Sequence, residues 1–460
     1  MRRNDWRPAL ATRQGPTYLA LADAIAEDIA RGRLADGDHL PTQRHLADAL
    51  GLDVTTIARG YREAARRLLV EGRVGSGTFV RARAAEPSRG VRRDLSDRSM
   101  NLPPEPDDPD LLATLEESMA EIGHDLVARL RYQPVGGSAE DKSAAMRWLA
   151  RHRVEANPET LLLTAGSHAA LLAALSEVAA PGDAVACEAV TYPGIKAIAH
   201  MLGIRLVGLP FDREGVDPGA LAALCREGEL RAIYLNPTLH NPTTWTTPIG
   251  RRAEIVEVAR HWGIPIVEDD AYGVIPTAGP PPIAMLAPEI TYHVSGLSKC
   301  LGAGLRLAYL LVPEARRVTG VAARLRAATV MASPLTAALA SRWIETGVAD
   351  RLLAAVRAES RARQAIAADT LPAAAVEADP EGFHLWIRPP RPWTRGRMVD
   401  WMRGQRLGAV PSDAFCVGVE PMEAFRLCLG GPNTREETLE TLQFLSDAMT
   451  RPPSLLEGAL

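Results

Sequence analysis

Apolar residues recur every three or four positions in three short segments near the N-terminus. This spacing predicts three amphipathic helices. Their apolar positions are Leu21, Ile25 and Ile29, then Leu46 and Leu50, then Ile57, Tyr61, Ala65 and Leu68. Gly51 is expected to end the second helix, and Asp53 or Thr55 can cap the third. Residues 73–80 alternate about a Gly-Ser-Gly turn, which predicts a β-hairpin after the helices.

From about residue 109 to 450, apolar runs typical of buried strands alternate with helical patterns. We expect strands at 161–164, 184–186, 233–235 and 264–267, and a helix at 169–179. This alternation predicts an α/β fold with a mainly parallel sheet. A polar cluster follows each strand, at the end where open α/β sheets bind ligands.

Residues 83–108 separate these two regions and are dominated by proline and charge, without an apolar period. Such a composition predicts an extended linker. The expected domains are therefore residues 14–82 and residues 109–450.

Charge is distributed unevenly along the 460 residues, although the net charge is only -4. Residues 1–93 carry 17 Arg against 11 Asp and Glu, a balance of +6, so the remainder must be about -10. A basic module joined to an acidic body suggests that the N-terminal region binds a polyanion.

The distribution of cysteines and of apolar residues indicates the cellular compartment of the protein. The five cysteines are scattered without a Cys-x-x-Cys pair, which argues against a disulfide framework or a zinc site. The N-terminal residues lack the apolar core of a signal peptide, and the most apolar window, 161–180, contains Ser167, His168 and Glu177. We therefore expect a cytoplasmic protein with no metal site and no membrane partner.

One lysine is the strongest candidate for chemistry. The chain has only three lysines against 49 arginines, and only an amine that can lose its proton attacks a carbonyl to form a Schiff base. Lys299 lies near the hydroxyls of Ser295 and Ser298, and Arg306 follows after a run of glycines. These neighbours suit a phosphate. Taken alone, the stretch is equally consistent with a surface lysine in a glycine-rich loop.

A set of positions within residues 14–82 carries a family pattern. These positions are Leu40, Pro41, Arg44, Leu46, Ala47, Gly51, Thr55, Thr56, Ile57, Tyr61, Glu71, Gly72, Gly75, Gly77, Thr78, Phe79 and Val80. The pattern resembles the GntR-type winged helix-turn-helix domain, which implies that the third helix enters a major groove of double-stranded operator DNA. The expected DNA contacts are Arg44, Thr55, Thr56, Arg59, Arg62, Gly75 and Gly77. The alternative is a small helical accessory domain with a solvated arginine face.

The polar clusters and Lys299 also follow a recognisable order. They are residues 191–194, 236–243 and 268–272, then Lys299, then residues 425–427. This order resembles the pyridoxal-phosphate enzymes of the aspartate aminotransferase fold (fold type I), with a large domain and a small domain from about residue 345.

The resemblance implies pyridoxal 5′-phosphate as cofactor and assigns roles to individual residues. Lys299 would form the internal aldimine, and Asp269 would pair with the pyridine nitrogen. The remaining implied roles are Tyr272 and Asn241 on the phenolic oxygen, Tyr192 stacked on the ring, Gly166, Ser167, His168, Ser298 and Arg306 on the phosphate, Tyr132 on a phosphate across a dimer interface, and Arg426 on a substrate carboxylate.

Three positions depart from the pattern of this fold. Thr244 follows Asn-Pro-Thr, where the family usually has glycine. Gly296 stands three residues before the lysine, where a phosphate-binding hydroxyl is expected, and His168 replaces a common glutamine. Structural alternatives exist for single residues: Tyr192 and Tyr272 could be core aromatics, Asp269 could cap a helix, and Arg426 could form a surface ion pair.

The combination of the two regions resembles the MocR family of transcription regulators. The resemblance implies a homodimer that binds DNA through the winged helix and senses an amino compound, or the cofactor itself, through an aldimine. The alternative is a catalytically active aminotransferase with an appended DNA-binding arm, because no catalytic residue is missing from the pattern.

Overall fold

The computed structural model describes residues 6–8, 16–31, 33–35, 37–67, 69–73, 77–80, 99–404 and 407–451. The chain divides into two compact units, residues 1–94 and 95–460.

The described part of the N-terminal unit contains three helices and an antiparallel hairpin, as predicted. Its elements are α1 (Thr17–Ala30), α2 (Gln43–Leu50), α3 (Val54–Arg66), β1 (Val70–Arg73) and β2 (Gly77–Val80). Gly51 adopts the left-handed conformation that ends α2, with φ at 66°. Asp53 caps α3 by accepting a hydrogen bond from Thr55 N at 2.6 Å.

The inner face of α3 differs from the prediction at one position. Ile57 and Tyr61 are buried as expected, but Ala64 is buried and Ala65 is exposed. An α-helix has 3.6 residues per turn, so inward-facing positions are separated by either three or four residues. The inward position that follows Tyr61 is therefore Ala64, three residues later, and not Ala65. The predicted inner position Leu68 lies outside the described residues.

The described part of the second unit is an α/β structure with three sheets, the smallest of which is an antiparallel pair formed by residues 211–212 and 215–216. Its elements up to the end of the large sheet are α4 (Pro109–Gly123), α5 (Leu126–Arg129), α6 (Ala139–Arg151), β3 (Leu161–Thr164), α7 (Ser167–Val178), β4 (Ala184–Glu188), α8 (Pro193–Leu202), β5 (Arg205–Leu209), β6 (Phe211–Asp212), β7 (Gly215–Val216), α9 (Pro218–Arg226), β8 (Leu230–Leu235), α10 (Ile249–Trp262), β9 (Ile266–Asp269), α11 (Ile283–Leu286), β10 (Thr291–Gly296) and β11 (Ala308–Leu311).

The large sheet has seven strands in the order β3-β11-β10-β9-β8-β4-β5. β11 runs antiparallel to both of its neighbours, and the pairs from β10 to β5 are parallel. Strands with fully buried residues, such as β3 and β4, show that helices cover both faces. The mainly parallel sheet is therefore confirmed, although the predicted strand at 264–267 begins at Ile266 and ends at Asp269.

A smaller, antiparallel sheet completes the unit. The C-terminal elements are α12 (Ala315–Thr329), α13 (Pro334–Thr346), α14 (Val348–Thr370), β12 (Val376–Ala378), β13 (His384–Ile387), α15 (Arg395–Gly404), β14 (Val410–Pro411), β15 (Phe425–Cys428) and α16 (Arg435–Thr450). The strand order is β12-β13-β15-β14. In the described parts of the chain, no helix has the length and apolar character needed to cross a membrane.

Candidate functional site

The carboxyl ends of the parallel strands bring most of the predicted site residues together. Tyr192 follows β4, Asn241 follows β8, Asp269 ends β9 and Lys299 follows β10. Strands distant in sequence are neighbours in the sheet, so these residues converge at one edge.

Lys299 lies in a short turn directly after β10. The residue is partly exposed, but its amine end is enclosed and donates a hydrogen bond to the carbonyl of Asn101. Burial lowers the pKa of Lys299 to about 8, and the nearby Arg426 adds to this effect, whereas Asp269 opposes it. An amine with such a pKa has an appreciable free-base fraction at neutral pH, which is the form that attacks a carbonyl.

Asp269 is fixed from two sides and leaves one oxygen open. Its Oδ2 accepts from the Tyr234 hydroxyl at 2.9 Å, and its backbone carbonyl accepts from Asn236 Nδ2 at 2.7 Å. Its Oδ1 is buried without a hydrogen-bond partner among the described residues. Burial raises the pKa of Asp269 to about 6. A buried, unpartnered carboxylate oxygen fits the protonated nitrogen of a pyridine ring.

The start of α7 forms a cradle for an anion. Gly166 has a φ of 87° and precedes the first turn of the helix, whose free N–H groups and dipole favour a phosphate. The guanidinium of Arg306 approaches so closely that a Cβ atom at position 166 would lie 3.2 Å from its Nη2. Arg306 and this helix end therefore face one point, as a phosphate site requires.

The missing hydroxyl at position 296 has a steric explanation. A Cβ atom at Gly296 would lie 2.3 Å from Ser167 Oγ, so the Ser167 hydroxyl already occupies the space that a side chain at 296 would need. Ser167 is thus placed to supply the hydroxyl that position 296 cannot.

His168 and Tyr192 form one wall of the site. His168 Nε2 lies 3.5 Å from the Tyr192 hydroxyl, and the two rings meet edge to face with centroids 5.7 Å apart. Burial raises the pKa of Tyr192 to about 12. Burial, together with Arg306 and Lys299, lowers the pKa of His168, so both rings are neutral at physiological pH.

Arg426 on β15 supplies the carboxylate-binding group. Arg426 is buried, its Nη1 donates to Asn241 Oδ1 at 2.9 Å, and its Nη2 donates to the carbonyl of Ser99. Its Nε has no partner among the described residues. Arg426 is therefore not a surface ion pair, and it presents an open donor to the site.

Tyr272 and Asn241 lie beside this arginine. The Tyr272 hydroxyl accepts from Asn101 Nδ2 at 2.7 Å and keeps its own hydrogen for another acceptor. Asn241 N donates to Asn236 Oδ1 at 2.9 Å, which fixes the turn after β8. Both residues can therefore face a phenolic oxygen.

A buried charge network lies behind the strand that carries Asp269. Glu268 accepts from Ile283 N at 2.7 Å, from Ala284 N at 3.0 Å and from His293 Nδ1 at 2.8 Å. Arg252 lies 3.8 Å from the same carboxylate. These contacts hold the end of β9 in place, so Asp269 is presented from a rigid support.

Two predicted cofactor-binding residues, Tyr132 and Ser298, are not buried within the site. Tyr132 is 85% exposed and is not brought to the site of its own chain. Ser298 is partly exposed beside Lys299.

From the sequence, no role was assigned to four residues that contact the site: Ser99, Asn101, Tyr234 and Asn236, the last of which belongs to the polar cluster 236–243. Ser99 and Asn101 lie in the stretch interpreted as a linker. Ser99 acts through its backbone carbonyl, and Asn101 acts through its carbonyl and its side-chain amide. Tyr234 reaches Asp269 only because β8 and β9 pair in the sheet. A tyrosine within an otherwise aliphatic strand was the one available signal.

The N-terminal unit exposes its predicted DNA-contacting side chains. Arg44, Arg59 and Arg62 are exposed, and Arg59 lies 4.4 Å over the Tyr18 ring. Arg67, by contrast, is held by the carboxylates of Asp23 and Glu63. The other predicted contacts are Thr55, which is exposed, Thr56, which is half-buried, Gly77 with a φ of 110° beside His39, and Gly75, which lies outside the described residues.

The seven-stranded sheet and the lysine-centred site define the second unit as a pyridoxal-phosphate-binding structure of fold type I. Residues 105–440 match the aminotransferase class I and II family, and residues 17–80 match the bacterial regulatory proteins of the gntR family. The chain belongs to the aminotransferase class I and II family, and its gntR-family domain gives it the MocR-type architecture.

Individual relatives share both regions or the fold. The HTH-type transcriptional regulator YdeF of Bacillus subtilis is 28% identical over 447 residues, which cover 96% of each chain. The HTH-type pyridoxine biosynthesis transcriptional regulator PdxR of Corynebacterium glutamicum is 26% identical, covering 77% of this chain and 78% of the relative. The structure of LysN, an α-aminoadipate aminotransferase from Thermus thermophilus, superposes with a TM-score of 0.69 at 23% identity, covering 80% of this chain and 95% of LysN.

Proposed function

We propose that the protein is a transcription regulator that binds operator DNA through its gntR-family domain and senses an amino acid at the pyridoxal-phosphate site. One observation supports the proposal: Lys299 and Arg426 both donate to the segment 99–101, and Arg426 Nε has no partner among the described residues, so one site would offer groups for an amine and for a carboxylate. The relatives named as transcriptional regulators support the first half. The five free cysteines support a reducing compartment, the cytoplasm.

The site residues are suited to a cofactor that reacts with amines. Pyridoxal phosphate, when bound, supplies an aldehyde that condenses reversibly with amines and a ring that withdraws electrons. Arg306 and the N-terminus of α7 would hold its phosphate, and Asp269 Oδ1 would keep a proton on its ring nitrogen. Tyr272 would donate to its phenolic oxygen. Lys299 would exchange with the amine of the effector.

A second function is compatible with the same residues. Lys299 has a pKa near 8 and can move a proton, so a working aminotransferase is the alternative. Mixing the protein with amino acids and a 2-oxo acid distinguishes the two. Rapid, sustained product formation without any effect of amines on DNA binding would favour the enzyme.

The arginines of α3 should contact the DNA backbone. We expect Arg59→Ala and Arg62→Ala each to weaken binding to DNA upstream of the protein's own gene and to reduce the salt dependence, because each lost phosphate contact changes the slope of log affinity against log salt by roughly 0.9. Mobility shifts at several salt concentrations measure this.

The matched control for these variants is Arg31→Ala. Arg31 is exposed but pairs with Glu27 at 2.6 Å within α1. Its removal should leave the salt slope unchanged. Equal effects of Arg31 and Arg62 would contradict the assignment of α3 as the DNA-reading helix.

We further propose a homodimer whose interface includes the region around α5. Large apolar side chains cluster on the surface there, with Val127 73% exposed beside Leu126, Leu130 and Tyr132. Apolar patches on one surface mark interaction sites. A partner chain at this surface would also bring its Tyr132 towards the other site.

Charges at this surface should separate the dimer. Val127→Asp together with Leu130→Asp should halve the mass that light scattering reports, because burying two carboxylates at an interface is strongly unfavourable. Met201→Asp, at an exposed methionine on α8, is the control and should leave the mass unchanged. An unchanged mass for the double variant would exclude this interface.

A further inference from the structure

Three ligand-facing side chains converge on one short segment, Ser99–Asn101. The Ser99 carbonyl accepts from Arg426 and the Asn101 carbonyl accepts from Lys299. Asn101 Nδ2 donates to the Tyr272 hydroxyl at 2.7 Å. The segment thus contacts the groups assigned above to the effector carboxylate, the aldehyde and the phenolic oxygen.

Asn101 is held firmly within the segment. Its amide nitrogen lies 2.7 Å from the Tyr272 oxygen and 3.4 Å from His384 Nδ1. Burial lowers the pKa of His384 to about 3, so the ring is neutral, and its Nε2 lies 3.3 Å from the carbonyl of His240. With its hydrogen on Nε2, His384 accepts the second amide hydrogen of Asn101 at Nδ1.

The chain after Asn101 is fixed to the end of β15 and to the residues that follow this strand. Gly431 N donates to the Pro103 carbonyl at 3.0 Å, and the Cys428 thiol lies 3.4 Å from the Leu102 carbonyl. A Cβ atom at Gly430 would overlap the Leu102 carbonyl at 1.7 Å. We therefore expect a ligand to displace Ser99–Asn101 and not Leu102 or Pro103.

We propose that Ser99–Asn101 is an internal competitor of the effector and that Asn101 is its positioning residue. A carboxylate bound side-on to Arg426 would pair with its open Nε and with Nη2, and Nη2 already donates to the Ser99 carbonyl. With the cofactor bound, Lys299 would give up to a C=N bond, with release of water, the hydrogens that it donates to the Asn101 carbonyl. Cofactor loading would therefore free the Asn101 carbonyl before any effector arrives, and a carboxylate-bearing effector would in turn displace the Ser99 carbonyl. The Asn101–Tyr272 bond would persist, because a hydroxyl accepts and donates at the same time.

This inference rests on the proposed function and describes which part of the chain responds when the effector binds. A carboxylate and a backbone carbonyl compete when both need the same N–H hydrogen of Arg426, so the effector has different contacts in the two arrangements of the segment, which is the requirement for a population shift. In the sequence, the segment follows the residues that match the gntR family, so DNA binding is the property of the chain on which its release is tested.

The test compares two amines that differ only in a carboxylate. 2-Methylalanine has no α-hydrogen and cannot be transaminated, and isopropylamine is the same molecule without the carboxylate. We expect Asn101→Ala, in the full chain loaded with cofactor, to raise the affinity ratio of 2-methylalanine to isopropylamine roughly tenfold. The reason is that loss of the Asn101 amide loosens the segment and weakens the competing hydrogen bond from the charged Arg426 to the Ser99 carbonyl. Titration of the cofactor absorbance gives both affinities.

Met100→Ala is the matched control, since the Met100 side chain is 62% exposed on the same segment. It should leave the ratio unchanged. A ratio that stays constant or falls in Asn101→Ala would overturn the competition, even where the variant alters the stability of the fold.

Hydrogen exchange provides a second measurement without mutation. 2-Methylalanine should speed amide exchange in the peptide that spans residues 99–101, and isopropylamine should do so less. Equal exchange with both amines would overturn the proposal. If the segment responds and DNA binding does not, the competition stands and the regulator function is contradicted.

Discussion

Lys299→Ala is expected to abolish covalent capture of pyridoxal phosphate. Only a primary amine condenses with the aldehyde, and Lys299 is the lysine whose amine is enclosed beside Asp269, with its pKa lowered to about 8. The variant should lack the visible absorption of the bound cofactor. Reduction with borohydride followed by peptide mass analysis should find no modified lysine.

Because the chain has only three lysines, the two others can both serve as controls for Lys299→Ala. Lys142, whose amine donates to Pro158 O at 2.8 Å, and Lys196, which donates to Ala414 O at 2.9 Å, are the two others in the chain. Lys142→Ala and Lys196→Ala should retain full capture. A modified lysine found in the Lys299→Ala protein would contradict the assignment.

The same reaction has an expected pH dependence. The free amine is the reactive form, so the rate of capture should rise as pH increases through about 8. Asp269 favours the charged amine and raises its pKa. Asp269→Asn should therefore move the midpoint to lower pH.

Arg426→Gln is expected to remove recognition of the carboxylate while leaving recognition of the amine. The affinity for 2-methylalanine should fall by roughly 10- to 150-fold, the worth of a hydrogen bond to a charged group, and the affinity for isopropylamine should stay nearly constant. Titration of the cofactor absorbance measures both. Glutamine is chosen because its amide can still donate to Asn241.

Arg388→Gln is the control for this variant, because Arg388 is exposed and pairs with Glu377 at 2.6 Å. It should bind both amines normally. Equal losses for the two amines in Arg426→Gln would show that the arginine maintains the site and does not read the carboxylate.

The sequence predicted the parts of this structure that local patterns determine. Strand and helix periods predicted the α/β fold. The order of the polar clusters, through the family resemblance, led to Asp269, Tyr272 and Lys299 at the large sheet and to Arg426 on β15 of the small sheet. The contacts of Asn101 could not be predicted, because a proline-rich stretch without an apolar period is typical of a linker, and its carbonyl contacts depend on tertiary structure. The inner face of α3 differed by one residue because its period is not an integer.

The contact between Ser167 and Gly296 implies that the two positions evolve as a pair. A side chain at 296 would have to push the Ser167 hydroxyl away from the phosphate cradle, and the hydroxyl is needed there only while 296 is a glycine. A side chain added at position 296, or the loss of the hydroxyl at position 167, would each disturb the cradle. A double exchange that moves the hydroxyl from 167 to 296 would leave the cradle with the same number of hydrogen-bond donors. Homologous sequences should therefore carry a hydroxyl at one of the two positions and a small residue at the other.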